Sequence, residues 1–395
     1  MTTMSAPSET PWPSLTAARP ARLLSLDFLR GLTIAFMILV NNNGDEQLAY
    51  WPLKHAAWNG FTPTDLVFPT FLFLVGISTV FSTASRLAQG ATKQSLFLHV
   101  LRRSITLYVL GLLIHGFPFF NLQTMRFYGV LPRIAICYFI IASLYILSPG
   151  WRSKAALAIG ALAAYWIIMR FVPVPGYGVP THDIPLLDRD ANLTAWLDRQ
   201  LFSASHLYEH TRDPEGLLST IPALATALFG VLTGIWLRTQ RTLTQKITGI
   251  AIAGLSGILL GGLWNITFPI NKKLWTSSYA LFAAGLSLSL LALSLFIVDL
   301  RKKTPAKQDH SGVLKPFFIF GTNAIVAYAF SELLAAVLYS IHTHPGVTLQ
   351  QSIFRSFQQV VPNVPFASLL YSIAFVAVCW LFVAVLYRRK IFIKI

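Results

Sequence analysis

A histidine, an aspartate and an asparagine lie close together in the first part of the sequence, and these are residue types that proton transfer requires. His55 and Asp65 belong to the stretch 53–69, which reads LKHAAWNGFTPTDLVFP. A neutral imidazole is the commonest general base near pH 7, and a carboxylate that accepts from its other nitrogen fixes the tautomer. Asn41 precedes this stretch, and its amide can donate a hydrogen bond to developing negative charge. These three residues are the catalytic candidates.

His55 and Asp65 also have interpretations without catalysis, which the sequence alone leaves open. His55 and Trp58 could anchor the chain at a membrane interface, where aromatic side chains are common. Asp65 could complement the dipole at the start of a helix. Trp58 and Asn59 follow His55 closely, and we regard them as candidates for the wall of a substrate site.

The elements that must position these residues are predicted to be membrane helices. Of the 395 residues, 54% are hydrophobic and only 12% are charged, whereas soluble domains carry about 25% charged residues. The apolar stretches lack period-two alternation, so helices are favoured over a barrel. Ten stretches are long enough to cross a bilayer: 24–43, 64–85, 104–121, 129–148, 154–173, 217–237, 247–268, 276–299, 316–341 and 366–387. The sequence therefore predicts an all-α, polytopic membrane bundle of about ten transmembrane helices.

The positive charge is distributed unevenly over the predicted loops. With the N-terminus in the cytoplasm, twenty of the 31 Lys and Arg residues lie on the cytoplasmic side and eight on the opposite side. This asymmetry follows the positive-inside rule and predicts that both termini are cytoplasmic. Topology thus accounts for the net charge of +16, and we expect no nucleic acid partner. The stretch that carries His55 then faces outward.

The chain is predicted to contain one membrane domain. Residues 1–20 are polar and rich in Ser, Thr and Pro, which is typical of a flexible cytoplasmic tail. Residues 21–395 form the transmembrane domain, and its outward loop 174–216 is long enough to indicate a role in a site. Both cysteines lie inside predicted spans without paired spacing, and we expect no metal centre.

Charged and amide side chains near the outer ends of the spans are candidates for substrate contact. Arg126 lies at the outer interface of span four, and Asp213 and Glu215 lie at the outer start of span six. The two carboxylates could complement the helix dipole, or they could contact Arg126 or a substrate. Asn323 and Glu332 place an amide and a carboxyl group inside span nine, which indicates a polar cavity wall.

Arginines within the spans need a partner because their charge cannot be lost. Asp27 and Arg30 are three residues apart on one helix, and they could form an interfacial ion pair that only fixes helix depth. Arg133 lies inside span four, where its partner could be a protein carboxylate or a ligand phosphate. Arg102 and Arg103 lie toward the cytoplasmic side of span three.

Several long motifs resemble one known family of membrane enzymes. The motifs are RLLSLDFLRGLTIAFMILVNNNG, LKHAAWNGFTPTDLVFPTFLFLVGIS, GVLPRIAICY, DPEGLLSTIPALATALFG, LWTSSYALFAAG and GTNAIVAYAFSE. In order and wording they are similar to the heparan-alpha-glucosaminide N-acetyltransferase family, from about residue 22 to the last span. The resemblance implies a transmembrane acyltransferase that moves acetyl from cytosolic acetyl-CoA to the amino group of a glucosamine across the membrane.

The resemblance also implies roles for individual residues. The active-site histidine of the family falls on His55, and its active-site asparagine falls on Asn41. His55 would act as general base, with a transient acetyl-histidine as an open variant, and Asp65 would orient its ring. Candidate partners for the CoA phosphates are Arg30, Arg133, Arg102 and Arg103.

The chain also departs from the lysosomal members of this family. Those members carry an extra N-terminal lumenal region and an additional span, whereas this sequence begins almost directly at the shared core. We therefore expect a bacterial relative in the plasma (inner) membrane, surrounded by lipid, with a homodimer as an open option. Its acceptor would be an outward amino sugar or glycan. The alternative function is a membrane transporter or flippase, in which the intramembrane charges form a substrate path.

Overall fold

The computed structural model describes residues 23–300 and 312–393, so the predicted tail 1–20 lies outside the described residues. The helices within these ranges are α1 (Leu24–Asn41), α2 (Val67–Ala88), α3 (Lys93–Gly116), α4 (Val130–Leu147), α5 (Trp151–Phe171), α6 (Leu193–Leu201), α7 (Thr220–Leu237), α8 (Leu243–Trp264), α9 (Ser277–Ser294), α10 (Lys315–Thr322), α11 (Ala324–Ser340), α12 (Leu349–Val360) and α13 (Val364–Arg388). A three-residue and a two-residue strand, β1 (His342–His344) and β2 (Val347–Thr348), pair as a hairpin before α12. The all-α prediction is confirmed.

The described residues contain nine helical segments that are long and apolar enough to cross a membrane. A tenth span results if α10 and α11 are counted together, although these two helices are bent by 87° at their junction. The prediction of about ten spans is therefore confirmed, and every predicted stretch overlaps one of these segments. The chain is a multi-pass membrane protein by this criterion of length and composition.

The third span begins earlier than its hydropathy indicates. The apolar stretch predicts 104–121, but α3 runs from Lys93 to Gly116. Thr92 caps the helix, because its side chain accepts a hydrogen bond from the backbone N–H of Ser95. The first turns contain charged and polar side chains, which lower the local hydropathy without preventing a helix.

The predicted ninth span, 316–341, is wrong as one continuous helix. Asn323 has non-helical backbone angles (φ −131°, ψ 42°) and separates α10 from α11. Its side-chain N–H donates to the carbonyl of Ile391, and its side-chain oxygen accepts from the N–H of Ile393, both at 3.0 Å. The Asn323 amide thus binds the segment after α13 through both of its polar atoms. Asn323 is part of this junction.

The long helices connect two ends of the bundle. One end, which we call the loop face, contains the segments 42–62, 117–129, 172–219, 265–276 and 341–363. Hydrogen bonds join these segments to one another, for example from the N–H of Gly60 to the carbonyl of Ile270 (2.8 Å) and from the Gln350 side chain to the carbonyl of Gly44 (3.0 Å). At the opposite end, the Asp299 carboxylate accepts from the backbone N–H groups of Leu24 and Ser25, which begin α1.

Glycines allow the central helices to approach closely. A Cβ atom on Gly230 of α7 would lie 2.0 Å from the carbonyl oxygen of Phe73, and one on Gly76 of α2 would lie 2.1 Å from that of Ala227. No side chain can occupy either position without separating the two helices. Small residues at such crossings are typical of membrane bundles, where van der Waals packing holds helices together.

We expect Gly230→Val to destabilise the bundle, because the added side chain must push α2 and α7 apart. Overpacking of this kind costs about 1–3 kcal/mol. The control is Gly262→Val on α8, where an added Cβ meets no atom within 4 Å. Thermal unfolding in detergent checks this expectation: the melting temperature falls for Gly230→Val and stays within about 2 °C for the control. Equal melting temperatures for both variants would contradict the described crossing.

Candidate active site

His55 and Asp65 form a hydrogen-bonded pair at the loop face. The Nδ1 atom of His55 lies 2.7 Å from Oδ1 of Asp65. The Asp65 side chain is fully buried, whereas 34% of the His55 side chain is exposed. A carboxylate can only accept, so His55 donates its Nδ1–H and keeps a lone pair on Nε2. Within residues 23–300 and 312–393, no hydrogen bond engages Nε2.

The local fold holds the Asp65 carboxylate in place. Residues 63–66 form a 3₁₀ turn, and Oδ2 of Asp65 accepts from the backbone N–H groups of Thr62 (3.0 Å) and Ala56 (3.2 Å) and from the Thr62 hydroxyl (3.1 Å). The hydroxyl of Tyr279 donates to the backbone carbonyl of Asp65 at 2.6 Å. A buried charge requires such partners, and here they also fix the direction from which Asp65 meets His55.

The charge state of His55 follows from its surroundings. Burial lowers the pKa of His55 below its ordinary value near 6.5, and the positive charge of Lys272 lowers it further. Asp65 raises the pKa through its hydrogen bond and its charge, and Glu46 raises it through its charge, but these effects are smaller. His55 is therefore neutral at pH 7, which is the state that a general base needs.

Asn41 ends α1 at the same face, and its side chain hydrogen bonds with the carboxyl group of Glu332 on α11. The two following asparagines have structural roles instead. The Asn42 amide donates to the carbonyl of Ile38 (2.9 Å), and the Asn43 amide donates to the carbonyls of Val40 and Leu53. Asn41 is thus the one amide of this run whose side chain is exposed. Glu332 reaches this region, whereas its predicted companion Asn323 lies at the α10–α11 junction.

Three predicted substrate residues, Arg126, Asp213 and Glu215, meet in one cluster. The Arg126 guanidinium donates from Nε to Asp213 Oδ2 at 2.7 Å, and its Nη2 also contacts both carboxylates. The guanidinium lies over the Tyr208 ring at 4.8 Å. Burial by itself raises the pKa of Glu215, but the charges of Arg126, Lys272 and Arg133 outweigh it and hold the pKa at about 2. This charged cluster joins the segment before α4 to the segment before α7.

Arg133 lies beside this cluster and is fully buried. Its Nη2 donates to the carbonyl of Gly216 at 2.9 Å and contacts the Ser219 hydroxyl, and its guanidinium lies 5.3 Å from the Trp275 ring centre. Arg133 and Glu215 line a cavity of about 280 Å³ whose other walls are mostly aromatic and aliphatic. The Gly216 carbonyl and the Ser219 hydroxyl thus bind one nitrogen of this guanidinium, Nη2.

The four arginines that could contact CoA phosphates do not meet. Arg133 lies near the loop face, and the other three lie in the half of the bundle toward the opposite end. Arg30 forms an ion pair with Asp27 within α1 (3.1 Å) and donates to the Ser78 hydroxyl on α2 (3.0 Å), and this hydrogen bond links the two helices. Arg103 lies over the Tyr138 ring at 4.7 Å, and Arg102 is exposed.

Trp58 and Asn59 connect the His55 segment to its neighbours. The Trp58 indole N–H donates to the carbonyl of Leu187 at 2.9 Å, and the guanidinium groups of Arg189 (5.5 Å) and Arg212 (5.0 Å) lie over its ring. The Asn59 side-chain oxygen accepts from the Asn271 amide at 3.1 Å. These contacts place the long loop and the segment 265–276 beside His55.

Lys272 is a site residue that the sequence prediction missed. It follows Asn271, and its charge acts on both His55 and Glu215. From the sequence, Lys272 is only one of the eight Lys and Arg residues on the outward side. The pair of lysines in a short outward segment directly before α9 was the available signal, but nothing in the sequence relates this segment to His55. Among the residues that the structure describes, no group of three or more His, Cys, Asp or Glu residues could hold a metal ion.

Comparisons with known proteins identify relatives of this chain. Residues 22–261 match the family model described as heparan-alpha-glucosaminide N-acetyltransferase, catalytic. A mouse protein named heparan-alpha-glucosaminide N-acetyltransferase is 32% identical over 79% of this chain and 54% of its own length. The human protein of the same name is 30% identical over 96% of this chain and 61% of its own length. The chain thus spans little more than half of these relatives.

We expect Asp65→Asn to lower the pKa of His55 further, because the carboxylate charge that raises it is removed while an oxygen acceptor remains. NMR titration of the imidazole signals, assigned with His55→Gln, measures this change. The matched control is Asp183→Asn, which changes the exposed His182–Asp183 pair at the same face. An unchanged or raised His55 pKa in Asp65→Asn would contradict the described pair.

Proposed function

The chain belongs to the heparan-alpha-glucosaminide N-acetyltransferase family, and from this we propose that it is a transmembrane N-acetyltransferase with His55 as its general base. The observation that carries the proposal is the His55–Asp65 pair, in which Nε2 of His55 bonds to no residue that the structure describes. The pair lies inside the matched residues 22–261. The donor is acetyl-CoA, and the acceptor is an amino sugar or glycan.

The reaction transfers an acetyl group from sulfur to nitrogen. The acceptor amine attacks the thioester carbonyl carbon, and a C–N bond forms. His55 Nε2 takes the proton that the amine loses, and the resulting imidazolium is stabilised by the Asp65 carboxylate. The tetrahedral intermediate then collapses, the C–S bond breaks, and the proton passes to the departing CoA sulfur.

Asn41 stabilises the oxyanion of this intermediate. Its exposed amide lies at the same face as His55, and the carboxyl group of Glu332 is its partner on α11. An amide that is oriented by a second side chain loses less freedom when it donates to the oxyanion. Glu332 is thus the positioning residue for Asn41.

The two substrates reach the site from different sides. The acceptor enters at the loop face, where segment 174–216 of the membrane domain 21–395 covers the site. The donor comes from the cytoplasm, and we assign the first contact with its phosphates to the exposed Arg102 and its neighbour Arg103, because Arg30 is bound to Asp27 and Arg133 lies near the loop face. We place the protein in the plasma membrane of a bacterium, with Trp58, Asn59 and the Arg126 cluster beside the acceptor.

A transporter is the second candidate function, and one observation favours it. The broken α10–α11 pair resembles the interrupted helices with which many transporters bind their substrates. Purified protein with acetyl-CoA and a panel of amino sugars separates the two functions. Release of free CoA that depends on the acceptor supports acetyl transfer. Movement of a glycan into reconstituted vesicles without CoA release would establish the transporter instead.

We expect His55→Ala to reduce acceptor-dependent CoA release by about 10²–10⁴-fold, because proton removal from the amine is lost. The matched control is His182→Ala, which removes another histidine that bonds to an aspartate at this face but whose side chain is 81% exposed. The control retains activity within about twofold. A His55→Ala variant that is folded and as active as wild type would refute the assigned base.

We expect Asn41→Ala to reduce kcat by about 10²–10³-fold with little change in KM, because its amide acts on charge that develops in the transition state. Glu332→Gln keeps a hydrogen-bonding partner for Asn41, so we expect it to retain more activity than Glu332→Ala. Steady-state kinetics with varied acetyl-CoA distinguishes these variants. A change confined to KM in Asn41→Ala would assign this residue to substrate binding.

A further inference from the structure

Lys272 lies in the segment that packs directly against the His55 segment. On either side of Asn59, two hydrogen bonds join the segments: Gly60 N–H to the Ile270 carbonyl, and the Asn271 amide to the Asn59 side chain. The next residue, Lys272, is half-buried, and its charge acts on His55 and on Glu215. The ammonium group of Lys272 is therefore near both His55 and Glu215.

The two adjacent lysines differ in their partners. Lys273 donates to the Glu209 carboxylate at 2.7 Å. Lys272 forms no hydrogen bond and no ion pair with any residue in 23–300 or 312–393. Two arginines at the same face also have ion-pair partners: Arg126 binds Asp213 and Glu215, and Arg212 binds Asp190. Lys272 is thus a cation of the site whose three donors remain available.

The nearby carboxylates do not use these donors. Both Asp65 oxygens are engaged, one by His55 and the other by Thr62 and Ala56. Glu215 is bound through Oε2 by the Arg126 guanidinium. Both groups attract Lys272 over a distance, but neither approaches within ion-pair range. A ligand anion can therefore reach the ammonium group of Lys272 without displacing a protein partner.

We propose that Lys272 is an anion-binding subsite of the acyl-transfer site. It takes one phosphate, sulfate or carboxylate group of a substrate, and this proposal rests on the acetyltransferase function given above. A lysine is suited to this task as a flexible point charge with three donors. The anion is supplied either by a phosphate of acetyl-CoA or by an acidic substituent of the acceptor, and both present the same chemistry to the ammonium group.

An anion bound at this subsite also changes the basicity of His55. The groups that act on His55 are Lys272, Asp65 and Glu46, and only Lys272 is positive. An anion at Lys272 offsets its charge and thereby makes His55 more basic when the substrate is bound. Binding at the subsite and proton removal are then coupled through one electrostatic interaction.

The experiment compares Lys272→Gln with the control Lys273→Gln. Lys273 is the adjacent lysine, and it differs from Lys272 in having an ion-pair partner. KM is measured for acetyl-CoA, acetyl-3′-dephospho-CoA, glucosamine and glucosamine 6-sulfate. We expect Lys272→Gln to raise KM about tenfold for each substrate that carries the recognised anion, equivalent to about 1.4 kcal/mol. Lys272→Arg restores most of the affinity, because it keeps the charge. Melting temperatures in detergent identify any variant that is unfolded.

The pattern of KM values identifies the source of the anion. An increase for acetyl-CoA that is smaller for the dephospho form assigns the donor's 3′-phosphate, and equal increases for both donors assign its pyrophosphate. An increase for glucosamine 6-sulfate alone assigns the acceptor. KM values for all four substrates that match those of Lys273→Gln would overturn the subsite. A wild-type protein that releases no CoA would instead overturn the acetyltransferase function itself.

Discussion

The buried carboxylate of Asp65 is the interaction on which the site depends. Its side chain is fully enclosed, and donors from Thr62 and Ala56 hold one oxygen while His55 holds the other. Without these partners the charge could not exist inside the protein. With them, the first turn of α2, the ring of His55 and the segment between them have one arrangement. As a direct result, Nε2 of His55 points away from the carboxylate.

Much of this arrangement was accessible from the sequence, because it depends on local chemistry and on hydropathy. Apolar stretches of sufficient length predict the spans, since a helix in lipid satisfies its own backbone. The residue types of His55 and Asp65 and their closeness in the chain made them candidates for a pair, and their side chains are in contact. Asn42 and Asn43 bond to backbone carbonyls near the end of α1, whereas the catalytic role of Asn41 stays a prediction.

Other features were beyond sequence reasoning because they depend on contacts between distant residues. The break at Asn323 is stabilised by Ile391 and Ile393, about 70 residues later in the chain. Hydropathy describes only the local stretch of sequence and carries no information about such a contact. Lys272 joins the site only because Asn271 contacts Asn59. The early start of α3 is a different case, because polar turns can extend a helix beyond its apolar part.

The contacts of Trp58 have a mechanical consequence for the loop face. Its indole N–H donates to the Leu187 carbonyl, and the guanidinium groups of Arg189 and Arg212 lie over its ring, so the long loop and the segment with His55 are joined here. Neither segment can move away from the other unless these contacts break. A motion that opens the loop face must therefore either break them or carry His55 along.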